Sequence, residues 1–382
     1  MKDVKVVVGS NFGDEGKGLI TRHFAVNSIL KGENPIIIFH NGTAQRGHTV
    51  DYTPNLRHVY HHFGSGTADG APTFFADTFW VHPMEFVREY GELAQMGVKP
   101  KVFCDPNALV VTPFDMLTDH ATEAYIALLN GEHEYGSCGY GTWCATDRFP
   151  HGIYRVKDFM NTEMRDFILE EAWKSCLAQL ISRKVDVDKL PEFKSYYSTD
   201  SILKKNLIEH FKKDLNFFFK VAKIVDFNTI YSIHDSLIFE NGQGLGLDQN
   251  VKNDWHTTSN TGLINPVAML NDKDDFSAEV CYVSRSYLTR HGIGPMEEEA
   301  KKREINADMV DKTNVPNEFQ GSLRYGYLAD KAQAERISAD WSIVENDRRF
   351  KKTMAITHCN EFKDIYQQAE YYSDNPFGVI KR

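Results

Sequence analysis

A run near the start of the 382-residue chain, Gly9-Ser10-Asn11-Phe12-Gly13-Asp14-Glu15-Gly16-Lys17-Gly18, combines residue types that handle phosphate. Its glycines let backbone N–H groups turn toward an anion, and a helix starting behind them adds its positive end. Lys17 supplies a point charge for the phosphates, as in a P-loop. The spacing is not GxxxxGK[ST], because the loop is longer and Gly18 stands where Ser or Thr would hold magnesium. Asp14, inside the loop, is therefore the candidate metal ligand. The competing reading is a plain glycine turn with solvated charges, and the strand–loop–helix context weighs against it.

The elements that must position this loop are legible as short β-branched runs: Val4–Val8, Pro35–Phe39, Ser236–Phe239, Glu279–Val283 and Thr353–Thr357. Several end in polar or glycine-rich segments, the pattern of buried strands that carry ligand loops at their C-terminal ends. After Lys17, the residues Leu19, Ile20, Phe24 and Ile29 share one face of a helix. Residues 160–185 and 201–224 also read as helices. The chain has no internal repeat and no Pro/Gly/Ser linker. The expected fold is α/β, one domain over residues 1–382, with a mainly parallel central sheet, surrounding helices and helical insertions at about 160–225. The P-loop-like loop follows the first strand.

Lys and Arg number 43 against 53 Asp and Glu, and the net charge of −10 argues against nonspecific nucleic-acid binding. No run approaches the ~18 apolar residues of a membrane helix, and the N-terminus lacks a signal-peptide pattern. The chain reads as cytoplasmic, or host-cytoplasmic if viral, with neither membrane nor nucleic acid as partner. Its six cysteines lack CxxC or metal-finger spacing and read as reduced.

The loop GSNFGDEGKG resembles the phosphate loop of adenylosuccinate synthetases. The next segment, Asn41-Gly-Thr-Ala-Gln45-Arg46-Gly47-His48-Thr49-Val50, resembles that family's Asn-Ala-Gly-His-Thr-Val motif. In the same order follow Gly136–Gly141, similar to a monophosphate loop, and Phe239–Asp248, similar to a Glu-Gly-Ala-Gln-Gly segment. His256–Thr261 matches a Thr-Ser-Ser-Asn-Thr run, and Thr289–Pro295 a Thr-Arg-Val-Gly-x-Gly-Pro stretch. The resemblance implies a ligase that joins L-aspartate to carbon 6 of a purine nucleoside monophosphate through a 6-phosphoryl intermediate. It implies Asp14 as the base at N1 and His48 as the group stabilising charge at O6 and on the phosphoryl. Magnesium would be held by Asp14 and the Gly47 carbonyl. The triphosphate would meet Gly13, Asp14, Glu15, Gly16, Lys17, Gly18, Gly47, His48, Thr49, His358 and Asn360. For the monophosphate the implied set is Asp14, Gln45, Arg46, Gly47, Ser137, Cys138, Arg148, Gln243, Thr257 and Thr258. A homodimer is also implied, with Arg148 the nearest candidate to reach the other subunit's nucleotide.

Two departures from the family pattern bear on specificity. Its aspartate-binding loop is arginine-rich, whereas the matching Gln320, Gly321, Ser322 and Arg324 offer one arginine for a dianionic substrate. Thr289, Arg290, Ser322 and lysines from elsewhere could compensate. The base-recognition stretch Thr-Lys-x-Asp becomes Thr357-His358-Cys359-Asn360, and an amide cannot accept from both guanine donors as a carboxylate does. The expected donor is therefore ATP or dATP. The tail from Ser373 to Arg382 reads as a shortened counterpart of the family's Ser-Thr-Gly-Pro tail near the base. A remodelled donor site resembles the phage branch that makes 2-aminoadenylosuccinate from (d)GMP for aminoadenine-containing DNA. Many of that branch replace the loop aspartate, while this chain keeps Asp14, which pulls back toward IMP. The reading leans to (d)GMP, with IMP as the alternative and a nucleotide-binding regulatory ATPase or an inactive scaffold as more distant ones.

Overall fold

The five β-branched runs become five neighbouring strands at the centre of one ten-stranded sheet. The computed structural model describes residues 1–131, 137–148, 154–198, 201–251, 259–309, 311, 321–362 and 369–382. Across the sheet the strands run Ile380–Lys381, Tyr371–Tyr372, Phe350–Thr357, Phe276–Arg285, Lys2–Gly9, Ser236–Glu240, Pro35–Phe39, Thr73–Phe75, Val102–Cys104 and Ala222–Ile224. Every neighbouring pair is parallel except the one at the chain's end, where Tyr371–Tyr372 meets Ile380–Lys381 antiparallel. The α/β expectation, with a mainly parallel sheet and surrounding helices, therefore holds.

Alternation along the first strand explains its central place. Val4, Val6 and Val8 enter a core with Ile36, Ile38, Leu237 and Phe239, while Val7 turns to the opposite core with Ile20, Phe24, Ile37 and Phe39. Both faces are covered around Val6–Val8, which reads as a continuous apolar run, while Lys5 before it pairs with Glu279 of the neighbouring strand at 3.0 Å. Each buried valine contributes roughly 1.5–3 kcal/mol relative to exposure. One face is closed by helices Lys17–Leu30, Pro83–Gln95, Pro113–Asn130, Arg165–Ser182 and Ile202–Val221. The other is closed by Phe227–Ile233, Ile264–Leu270 and Asp330–Trp341.

The helical expectation for 201–224 needs a correction at its end. The helix stops at Val221, and Ala222–Ile224 becomes the outer edge strand. Three-residue strands of this kind, including Thr73–Phe75 and Val102–Cys104, are too short to show a period and take their conformation from the neighbours they pair with. The 160–185 region breaks at Asn161, whose side chain accepts from Glu163 N at 3.1 Å, before Arg165–Ser182 begins.

Two small sheets flank the strand ends. His48–Thr53 pairs antiparallel with Leu56–Tyr60, and Arg324–Gly326 lies between Leu288–Arg290 and Glu299–Ala300. No disulfide joins any of the six cysteines. Among the described residues, no helix is long and apolar enough to cross a membrane.

Candidate active site at the strand ends

The central strands Lys2–Gly9, Phe276–Arg285 and Phe350–Thr357 run in one direction, so the loops that follow them meet at one edge. Gly16 shows how closely. It has φ +85, and a Cβ there would lie 2.8 Å from Thr357 Cγ2, so only glycine lets the loop rest on the end of the neighbouring strand. Thr357 Oγ1 then donates to the Glu15 carbonyl at 2.9 Å. Helix Lys17–Leu30 starts directly behind, its first residues facing a cavity of about 470 Å³.

Ten of the residues expected at the triphosphate line that cavity: Asp14, Glu15, Gly16, Lys17, Gly18, Gly47, His48, Thr49, His358 and Asn360. Gly13 is not among its lining residues. The hairpin adds Asp51, Thr53, Pro54 and Arg57, and Arg285, Asp311 and Glu361 also line the cavity. Ser373, Asn375, Pro376 and Phe377 of the tail line it as well, beside the segment expected to read the base, where Cys359 N donates to Ser373 O at 3.0 Å.

Lys17 is buried, with Nζ 3.5 Å from Glu15 Oε2, and the other Glu15 oxygen accepts from Asn11 N. Burial pushes the Glu15 carboxyl up, against the pull of Lys17. Asp14 holds a left-handed backbone at φ +56, and its carbonyl accepts from Arg285 Nε. Its carboxylate Oδ2 lies 3.6 Å from His291 Nε2. Arg285 is itself buried, donating through Nη1 to Asp311 Oδ2 at 2.8 Å and to Tyr287 OH at 2.9 Å.

His48 Nδ1 stands 2.6 Å from Glu240 Oε1. Glu240 is fully buried and also takes Ser65 Oγ on Oε1 and Ser65 N on Oε2, the latter at 3.1 Å. Burial lowers the His48 pKa, helped by Lys17 and Arg46 against Glu240. Burial alone would raise Glu240, but His48 and Ser65 outweigh it and hold the carboxyl below its ordinary range. The His358 imidazole is likewise kept neutral by burial and by Arg285.

The residues expected at the monophosphate divide. Gln243, at φ +63, accepts from Ser259 Oγ at 3.0 Å, and Gln45 Oε1 accepts from Thr43 N at 2.6 Å. Ser137 donates to Asp119 Oδ2 at 2.6 Å, and the same oxygen takes Gly141 N at 3.0 Å, which pins the Ser137–Gly141 turn. Burial pushes the Cys138 thiol, in that turn, up to about 12. Two arginines are engaged within the fold. Arg46 stacks 3.8 Å from the Phe39 ring and donates to the carbonyls of Glu240 and Asn41, and burial pushes it down to about 10. Arg148 is 1% exposed and forks onto Asp115 at 2.9 and 2.8 Å, with Val110 O at 3.2 Å. Moving either toward a phosphate would leave a charge or carbonyl unpaired in the core. Thr257 and Thr258 lie outside the described residues.

At the expected amino-acid loop, Gln320 lies outside the described residues, Gly321 has φ +63 and Ser322 is exposed. Arg324 donates to both Glu299 oxygens, at 2.8 Å from Nε and 2.5 Å from Nη2, and to the carbonyls of Gly292 and Gly294 at 3.1 and 2.7 Å. Arg290, beside it, is 2% exposed and donates to Pro295 O at 2.6 Å. Sequence reasoning missed Glu240 and Arg285. Both stand at the C-terminal ends of strands it had placed, the position where ligand loops and their supports collect.

Fold and cavity together define a class: an α/β protein with a mainly parallel sheet whose glycine-rich first loop opens onto a strand-end cavity. The chain belongs to the adenylosuccinate synthetase family, whose model matches residues 6–328. The adenylosuccinate synthetase of Chlorobium phaeobacteroides is 25% identical over 301 residues, which cover 77% of this chain and 64% of that protein. That of Neosartorya fischeri is 24% identical over 303 residues, 78% of this chain and 65% of the relative. The chain thus spans just under two-thirds of the length of these curated relatives. In three dimensions it is similar to the fully ligated adenylosuccinate synthetase of Plasmodium falciparum, with TM-score 0.67 and 19% identity over 95% of this chain and 78% of that one. It is also similar to the succinoaminodeoxyadenylate synthetase of cyanophage S-2L, solved with dGMP and with dATP as energy donor. There the TM-score is 0.65 and the identity 14%, covering 100% of this chain and 95% of the phage protein.

Proposed function

We propose that this chain is a carbon–nitrogen ligase that condenses L-aspartate with carbon 6 of a purine nucleoside monophosphate. The proposed acceptor is (d)GMP, the donor ATP or dATP, and the product a 2-aminoadenylosuccinate nucleotide. The observation that carries the reading is the gathering of Asp14, Lys17 and His48 in one strand-end cavity. The nucleotides named for the cyanophage protein suggest the acceptor and donor. Asn360 at the base end supports an adenine donor, since an amide cannot accept from both guanine N–H groups. The next residue, Glu361, already accepts from Tyr287 OH through Oε2.

In this reading Asp14 removes the purine N1 proton, and O6 becomes the nucleophile. O6 attacks the γ-phosphorus, the bond to the bridging β,γ oxygen breaks, and the nucleoside diphosphate leaves. Lys17 and the loop N–H groups hold the phosphates in place. His48 steadies charge on O6 and on the transferring phosphoryl. The amine of L-aspartate then attacks carbon 6, releases inorganic phosphate that carries the former O6, and loses a proton. Asp14 and Gly47 line the same cavity and offer hard oxygen donors that suit Mg2+, which when bound would offset phosphate charge. Arg324, with Gly321 and Ser322, is proposed at the aspartate carboxylates, complemented by Thr289 and Arg290. Gln45, Ser137, Cys138 and Gln243 are proposed around the monophosphate. Arg46 and Arg148 are left out because both are buried against their own subunit. A homodimer is proposed as the assembly, to be checked by light scattering.

IMP is the second acceptor, favoured by the retention of Asp14 where the phage branch often carries a small residue. Incubation with ATP, Mg2+, L-aspartate and each of GMP, dGMP and IMP, read by mass spectrometry, decides between them. A succinylated product from GMP or dGMP in preference to IMP supports the proposal. Product from IMP alone favours the second acceptor, and no product from any of the three removes the ligase reading.

A further inference from the structure

Glu361 follows Asn360 and, like it, lines the strand-end cavity. Its backbone is held on both sides. Glu361 N donates to His358 O at 3.0 Å, and the Glu361 carbonyl accepts from Asn306 Nδ2 at 3.0 Å. The side chain is turned to Tyr287, whose hydroxyl lies 2.5 Å from Oε2. Tyr287 is buried two residues beyond the Phe276–Arg285 strand. Its ring centre is 6.2 Å from that of Tyr325 and 6.0 Å from the His358 imidazole, and Ile305, Met309 and Leu323 complete this small core.

What lies behind the tyrosine sets the direction of these bonds. Arg285 Nη1 donates to Tyr287 OH at 2.9 Å and to Asp311 Oδ2 at 2.8 Å, and a guanidinium has no acceptor to offer. The single hydroxyl hydrogen therefore points at Glu361. A free carboxylate at this end would suit guanine, since its two oxygens match the adjacent N1–H and N2–H donors, which the Asn360 amide does not. We propose that Tyr287 is a specificity-determining residue for the phosphate donor: it holds Glu361 away from guanine and leaves Asn360 to read an adenine base. This deepens the ligase reading and rests on it for the segment as the base end of a donor site, though the tyrosine–glutamate contact does not. Selectivity of this kind denies the competitor its acceptor pair and takes nothing from adenine, which has no N1–H and N2–H pair. Asp311 already answers the Arg285 charge, so removing the tyrosine hydroxyl leaves that arginine paired and deprives Glu361 of this donor.

The test is Tyr287→Phe, which keeps the ring in its core and removes the hydroxyl. ATP and GTP binding are measured by isothermal titration calorimetry with Mg2+ and no other substrate, alongside initial rates at fixed monophosphate and L-aspartate. The unmodified protein should bind ATP more tightly than GTP, and Tyr287→Phe should move the ratio of dissociation constants toward GTP by about tenfold. Adding Glu361→Gln should return the ratio to within about threefold of its starting value, which a general loosening of the small core would not do. Glu361→Gln alone should leave the ratio within about threefold, because that carboxylate does not meet the base in the unmodified protein. An unshifted ratio in Tyr287→Phe overturns the proposal, and so does a shift that persists in the double variant. A large change of the ratio in Glu361→Gln alone, which does not depend on Tyr287→Phe folding, overturns it as well. ATP binding without product from the unmodified protein would remove the ligase reading and leave the binding ratios to decide this one.

Discussion

The strand-end cavity and the helical layer beside it treat their charged residues in opposite ways. At the cavity, Lys17, Asp14 and His48 face a common space, held by Glu15 and Arg285, which line it with them, and by the fully buried Glu240. In the helical layer, Arg148 turns inward to Asp115 and Val110 with no face left for a ligand. Arg46, in the loop before the hairpin, is buried on Phe39 and gives its Nη groups to two carbonyls, while its Nε has no partner among the described residues. The difference teaches that a basic residue beside a motif is a ligand candidate where its present partner is open to solvent, as Glu299 is for Arg324, and a poor one where that partner is buried, as Asp115 is for Arg148. Stranding a buried carboxylate in the core is costly.

The sharpest way to break this contrast is to remove a cavity residue and a helical-layer residue and compare what is lost. Asp14→Ala should abolish product formation while leaving the melting transition nearly in place, because a base and a metal contact vanish together. Near-normal turnover with ample Mg2+ at neutral pH would contradict the mechanism. Arg148→Met should do the reverse. It strands Asp115 in the core and should cost ~3–5 kcal/mol of stability in urea unfolding, with KM for the monophosphate unchanged in whatever folds. A large rise in that KM with intact stability would return Arg148 to the nucleotide.

His48→Asn should lower kcat by about a hundredfold to a thousandfold, as for a lost transition-state contact, with modest changes in nucleotide affinity. If binding collapses and saturated turnover survives, His48 is a binding residue. The smallest effect concerns the donor base. Asn360→Asp restores a two-acceptor carboxylate and should move the ATP-to-GTP rate ratio toward GTP by about tenfold, since one buried hydrogen bond is worth ~1–3 kcal/mol. A clear GTP preference in the unmodified protein would refute the donor assignment without touching the ligase reading.

The same contrast marks what was legible in the sequence. The central five strands were readable because Val4–Val8 and its partners are largely buried on both faces and mostly apolar, with Lys5 and Glu279 paired across two of them. The edge strand Ala222–Ile224 was not, since three residues carry no period and its pairing with Val102–Cys104 decides it. At the site, Asp14 and Lys17 were readable from residue type and the strand–loop–helix setting, and His48 from the resemblance of its segment to the family motif. Glu240 was not, because a glutamate after an apolar run looks like a strand exit until Ser65 and His48, distant in sequence, are seen to converge on it. Arg324 shows the reverse limit. Its chemistry suits a carboxylate, but only the fold reveals that Glu299 already occupies its fork.

The central claim is that O6 of the purine becomes phosphorylated before aspartate enters, and oxygen tracing tests it directly. The acceptor is labelled with oxygen-18 at O6 and incubated with ATP, Mg2+ and L-aspartate, and the released inorganic phosphate is weighed by mass spectrometry. Each inorganic phosphate should carry one oxygen-18 for every molecule of succinylated product formed. Product accompanied by unlabelled phosphate would contradict the account.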